Sequence, residues 1–397
     1  MFDRAGRFPL MDSLRAIAAL AIVAYHVAPH AGAFRAEFTT ALSAQFSTGV
    51  ALFFLISGTL LYRPFVLAHA TGERLPDVRA YAWRRFLRIV PAYWAALTVT
   101  GIFIDSAVFD RPLLFYGFAQ IYSPGAVFQG IPVAWTLCIE VSFYAFLPVF
   151  ALALRVLSKR TRASVWRVEA VTIMALFVFG LAWRALALGA DSEALQTSVN
   201  TLPAWVAWFA VGMGLAVTSA WLTEGAAKPA FVRFVERAPG VCWAVAAAAL
   251  AVNAWVFGRR YLGGDQSDLE LIAIHVTEAV CALGLILPAV FAGDGRGRVR
   301  QLLGWPVLLW LGLVSYGIYL WQSATLRALA DLTPLDGDIF DSSLWWIPFG
   351  FGGCILAGAL SWYLLERHAM SLRRLVRPRS GGEVTGKAEA AAARVAP

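Results

Sequence analysis

The chain has 397 residues, of which 59% are hydrophobic and only 15% charged, with a formal net charge of +8. An average soluble domain is about 45–50% apolar and about a quarter charged, so this composition excludes an ordinary soluble enzyme and points to a bilayer as solvent. The excess of Lys and Arg lies between long apolar runs and not on one soluble face, so nucleic acid is not an expected partner and the lipid bilayer is.

A helix needs about 20 mostly apolar residues to cross the hydrocarbon core. Taken in chain order, such runs predict an all-α polytopic transmembrane helix bundle with about ten spanning helices, at 11–30, 46–66, 90–109, 132–155, 168–189, 201–222, 240–257, 269–292, 304–328 and 344–366. The apolar stretch Leu113–Tyr122 is too short to span and is expected at the membrane surface. Residues 1–370 are expected to form one membrane domain and 371–397 a cytoplasmic tail, first basic and then, from about Ser380, Gly-, Ala- and Glu-rich and disordered. With an even number of spans both termini share one side. All but six of the 33 Lys and Arg (Arg35, Arg111, Arg184, Arg259, Arg260 and Arg327) then fall on that side, which makes it cytoplasmic. Arg4 and Arg7, the apolar run Ala16–Tyr25 and the small residues Ala31-Gly32-Ala33 also have the order of a cleavable signal peptide.

Ionisable side chains at membrane depth are costly and are functional candidates. In the first span Arg15 and His26 are eleven positions apart, which puts them on one helix face about 16 Å apart along the axis. The alternative is a snorkelling arginine and a core histidine bonded to a neighbouring helix. His30 follows His26, but Pro29 interrupts the backbone and argues against a two-histidine metal site. Arg84, Arg85 and Arg88 put three planar forks on one short stretch, a fit to phosphate. A positive-inside stop signal or an anionic-lipid contact would use the same residues. Glu140, inside the fourth span, needs protein or a wet cavity around it. It is read either as the orienter of an imidazole or as the ion-pair partner of an arginine. His275 with Glu278, and Glu366 at the inner end of the last span, are lesser candidates, the first pair most simply a structural hydrogen bond. Cys138, Cys242, Cys281 and Cys354 lie in apolar runs without ligand spacing, so neither a disulfide nor a metal site is expected.

In order along the chain, these residues resemble the acyltransferase 3 family of bacterial integral membrane acyltransferases. The family's R-x10-H motif falls on Arg15 and His26, after the lead Met11-Asp12-Ser13-Leu14. Its F-F-x-x-S-G signature falls on Phe53-Phe54-Leu55-Ile56-Ser57-Gly58, and its R-R-x-x-R-I-x-P box on Arg84, Arg85, Arg88, Ile89 and Pro91. The W-S-L-x-x-E-x-x-F-Y box is matched by Trp135, Leu137, Glu140, Phe143 and Tyr144, and S-Y-x-x-Y-L-W-H by Ser315-Tyr316-Gly317-Ile318-Tyr319-Leu320-Trp321. Thr136, Val141 and Gln322 depart from the family's frequent serine, second glutamate and histidine, and Arg367-His368 follows Glu366 where a proline-containing ending is common. The resemblance runs over about residues 10–370, and signal cleavage would remove its first motif.

The resemblance implies a multi-pass enzyme of the bacterial inner (plasma) membrane. It would move an acyl group, acetyl by preference, from cytoplasmic acyl-CoA to a hydroxyl of a carbohydrate-like or cell-envelope acceptor. His26 would act as general base, with Arg15 and Glu140 beside it, and Arg84, Arg85 and Arg88 would hold the acyl-CoA. Ser57, Tyr144, Ser315, Tyr319 and Glu366 are further candidates. Acyl-CoA enters as co-substrate and no permanently bound cofactor is expected. A macrolide-type acceptor, or a transporter or flippase using the same buried charges, are the alternatives. Acceptor, acyl chain length, direct transfer against an acyl-histidine relay, and oligomeric state are not specified by the sequence.

Overall fold

In the computed structural model, which describes residues 8, 10–32, 37–257, 267–291, 297–332 and 345–376, every regular element among the described residues is helical. The ten expected spans fall on ten helices: α1 Met11–Val27, α2 Gly49–Thr71, α3 Val78–Phe103, α4 Ala134–Arg160, α5 Val165–Leu188, α6 Leu202–Thr223, α7 Pro239–Val252, α8 Asp268–Val290, α9 Pro306–Leu332 and α10 Trp346–Ser361. With α7 followed on through its π-helical turn to Val256 and α10 on to Leu375, nine helices among the described residues are long and apolar enough to cross a membrane. The remaining one, α1, has 17 residues and a rise of about 25 Å, at the short end of the spanning range. The protein is a multi-pass membrane protein.

Local chemistry sets where these helices begin. The Asp77 side chain accepts from the Arg79 and Ala80 amides, so α3 starts at Val78 and not near residue 90 as expected from hydropathy. The correction matters because it puts Arg84, Arg85 and Arg88 on a continuous helix. Their spacing of one, three and four therefore becomes a helix face. Ser267 and Glu270 form a reciprocal capping box at the start of α8. The apolar stretch Leu113–Tyr122 forms no spanning helix, in line with the expectation that it is too short to cross. It folds into the short helix Pro112–Tyr116 and the turn Gln120–Tyr122, with Phe115 and Ile121 fully buried under the bundle end and only part of it, such as Leu113, exposed. The tail from about Ser380 lies outside the described residues.

Helix pairs approach most closely through glycine. A Cβ at Gly58 on α2 would collide with the Phe209 carbonyl of α6, and one at Gly212 on α6 with the Leu55 carbonyl of α2. Thr59 Oγ1 donates to Leu55 O at 2.8 Å and to Gly212 O at 3.1 Å across the same crossing. In lipid, where close backbone approach drives helix association, this crossing fixes α2. Gly58→Val is expected to cost at least the ~1–3 kcal/mol of an overpacked core and to abolish a cooperative melt in detergent. Gly214→Val, at a position on α6 with open space around its Cβ, is expected to melt near wild type.

At the end of the bundle where α3 begins, buried Arg300 ties the chain together. It donates to Val235 O (3.1 Å), Glu236 O (3.1 Å) and Phe291 O (3.0 Å), carbonyls at or near two helix ends. Elsewhere in the bundle, Glu169 accepts from Tyr62 and pairs with His69 at 2.5 Å, while His69 Nε2 donates to Ala151 O at 3.0 Å. This knot joins α2, α4 and α5.

Candidate active site

Between α1, α2, α3, α4 and α9 lies a chamber of about 290 Å³. Five of the sequence candidates, drawn from four motifs, meet on its wall: Arg15, Ser57, Arg85, Glu140 and Tyr144. Arg88, Ser315 and Tyr319 line it as well. Ser57 Oγ donates to Glu140 Oε1 across the α2–α4 interface. Ser315 is buried with its hydroxyl on Gly312 O at 2.8 Å. Tyr319 OH donates to Val133 O at 2.8 Å and contacts Thr136 Oγ1 at 2.5 Å, which fixes the far wall.

A second cavity of about 300 Å³ opens on the α3 start, lined by Asp12, Arg15, Arg84, Arg85, Arg88, Trp362, Met370 and Arg373 among others. Arg15, Arg85 and Arg88 border both cavities and so stand as a guanidinium ring between them. Two of the three have acidic partners: Arg15 with Asp12 at 2.7 Å, and Arg88 with Glu366 at 3.6 Å. Glu366 in turn accepts from Ser361 Oγ at 2.9 Å. Arg85 forms no ion pair among the described residues. Its Nε has no hydrogen-bond partner among the described residues either, and its guanidinium lies 5.9 Å from the Tyr144 ring. A ring of three cations with one unneutralised member is suited to an anionic ligand. Sequence reasoning counts Arg373 only towards charge asymmetry and passes over Trp362. No spacing links the C-terminal segment to α3, and only the fold brings them together.

His26 lies outside the residues that line the chamber. Its Nδ1 sits 2.9 Å from the Ile22 carbonyl. A carbonyl only accepts, so Nδ1 carries the proton and Nε2 keeps its lone pair. Gln322, buried on α9, is its polar neighbour and donates from Nε2 to Tyr319 O at 2.9 Å. One turn of α9 thus separates the imidazole from the chamber's far wall. The expected orientation of His26 by Glu140 is corrected, because the carboxylate is turned to Ser57 and no hydrogen bond or ion pair joins it to His26 among the described residues. His30 points elsewhere, stacked on Trp346 at 4.5 Å.

His275 and Glu278 do not form the structural hydrogen bond expected of them. Glu278 accepts from Ser47 Oγ at 2.9 Å, while His275 stacks on Trp208 at 4.3 Å with neither ring nitrogen bonded among the described residues. All four cysteines are free and buried.

With this geometry in place, comparison with known proteins is specific. The family model described as an acyltransferase domain matches residues 9–366. The chain is 25% identical over 388 residues to a protein of Bacillus subtilis (strain 168), YrhL, provisionally named a peptidoglycan O-acetyltransferase, covering 90% of this chain and 54% of the relative. It is 24% identical over 338 residues to the peptidoglycan O-acetyltransferase OatA of Listeria monocytogenes, with 79% and 48% covered. To acyltransferase MdmB of Streptomyces mycarofaciens it is 25% identical over 352 residues, with 82% and 81% covered. The chain spans about half the length of the first two relatives. No solved structure gives a significant match. The family match over almost the whole described chain, on helices that gather the motif residues around one chamber, means that this protein belongs to the acyltransferase 3 family.

Proposed function

We propose that this protein transfers an acyl group, acetyl by preference, from cytoplasmic acyl-CoA to a hydroxyl of a cell-envelope carbohydrate, as an enzyme of the bacterial inner membrane with both termini inside. The observation that carries the reading is the guanidinium ring of Arg15, Arg85 and Arg88 joining an outer basin to a chamber at membrane depth. Acyl-CoA has the matching shape. Its phosphates would rest against Arg84, Arg85 and Arg88, and its narrow, uncharged thioester arm would pass Arg15 into the chamber. His26, with Nε2 unprotonated, takes the acceptor's hydroxyl proton as the oxygen attacks the acyl carbonyl. The names of the two peptidoglycan O-acetyltransferase relatives support a wall glycan as the acceptor class.

The test is transfer of radiolabelled acetyl from acetyl-CoA in sealed vesicles of both orientations. Labelled acceptor is expected only with inside-out vesicles, where the arginine face meets the donor. Equal labelling from both faces would overturn the one-sided donor site. No label above vesicles lacking the protein would overturn acyl transfer and favour a transporter.

A further inference from the structure

The chamber that receives the donor arm holds an acid–base pair that the mechanism above leaves unused. Ser57 Oγ donates directly to Glu140 Oε1. Both side chains line the cavity between the arginine ring and Tyr319 and are only partly buried, so they face its interior. His26 is not among the residues that line that cavity but adjoins Gln322, whose amide donates to the carbonyl of Tyr319 on the cavity wall. A thioester that has passed Arg15 therefore meets a hydroxyl with a carboxylate on its proton before it comes to the imidazole. A nucleophile bonded to an adjacent base is the arrangement of covalent catalysis. The guanidiniums of Arg15 and Arg85 border the same space and would face the negative charge that develops on the carbonyl oxygen and on the departing sulfur.

Resting on the acyl-transfer reading, we propose that Ser57 is an acyl station: the acyl group is carried as a Ser57 ester between acyl-CoA and the acceptor, with Glu140 as its base. In the first step Ser57 Oγ attacks the thioester carbonyl carbon and its proton moves to the Glu140 carboxylate. The C–S bond breaks and CoA leaves as the thiolate, drawn towards the arginine ring. In the second step the acceptor oxygen attacks the Ser57 ester while His26 takes the acceptor's proton. The C–Oγ bond breaks, the protonated Glu140 carboxyl returns its proton to Ser57, and the imidazolium releases its proton to water. The sum is acceptor hydroxyl plus thioester giving ester, thiolate and one proton. Ser57 supplies the covalent intermediate and His26 acts only in the second half.

The experiment incubates membranes containing the full chain with radiolabelled acetyl-CoA, quenches in denaturant and maps the label. In His26→Ala, whose second step is blocked, label is expected to accumulate on the peptide containing Ser57, stable to neutral hydroxylamine and released by alkaline hydroxylamine. Ser57→Ala is expected to lose both that label and transfer. Ser57→Cys is expected to carry label that neutral hydroxylamine removes, because the ester has become a thioester. Since the Cys variant must fold to be labelled, it separates a lost nucleophile from a lost fold. Wild-type transfer that persists in Ser57→Ala, or label found on a histidine instead, overturns the serine station while leaving acyl transfer standing. Absence of both product and label in wild type overturns the two together.

Discussion

His26→Ala is expected to lower kcat by about 10²–10⁴, the range general-base catalysis supplies, with no rise in the KM for the donor. The split follows from position. His26 borders neither cavity of the donor path, so its removal takes no contact from acyl-CoA. Its hydrogen bond runs to the Ile22 carbonyl within its own helix, and losing it costs on the order of 1 kcal/mol. The detergent melt should therefore stay close to wild type, and the activity loss cannot be laid to unfolding. Steady-state rates at matched protein levels are the measurement. A loss under tenfold in kcat would place the base elsewhere, and a rise in KM with kcat retained would make His26 a donor contact.

Much of this site is legible without coordinates, for a physical reason. A bilayer penalises every buried charge, so charges found at membrane depth mark their own importance, and Arg15, Arg85, Arg88 and Glu140 do converge on one cavity. Their partners are not legible. Carboxylate and imidazole are natural partners in catalysis, so sequence alone pairs Glu140 with His26. Nothing in the spacing of residues 57 and 140 shows that α2 and α4 place a serine nearer. The placement of α2 itself rests on Gly58 and Gly212, whose lack of a Cβ lets α2 sink against α6. Hydropathy also places the start of α3 too late. Its first turns are rich in arginine, and what defines them is the Asp77 cap, a hydrogen-bond signal that apolar content does not carry. The Glu169–His69–Tyr62 knot escapes a reading of the sequence because His69 and Glu169 lie near helix ends, where the chain is expected to leave the membrane, yet both are buried.

Arg85 should dominate donor affinity. Arg15 and Arg88 are each part-neutralised by a carboxylate, at 2.7 and 3.6 Å, and Arg84 borders only the outer basin. Arg85 alone of the ring has no acidic partner among the described residues, and its buried Nε is unbonded there, so it brings a full charge to an incoming anion. A hydrogen bond to a charged group contributes about 1.5–3 kcal/mol, and about 1.4 kcal/mol is tenfold in binding. Arg85→Ala is thus expected to raise the KM for acetyl-CoA by roughly ten- to a hundredfold. Arg85→Lys should recover part of that, since an ammonium restores charge without the bidentate fork. Arg84→Ala should have a smaller effect. If the guanidinium also faces the charge that develops on the leaving sulfur, kcat falls in Arg85→Ala as well. The lysine variant, which keeps a cation there, should then lose less kcat than the alanine variant. A rise in KM no larger in Arg85→Ala than in Arg84→Ala would move the donor's phosphates out into the basin and leave Arg85 as a structural neighbour of Tyr144.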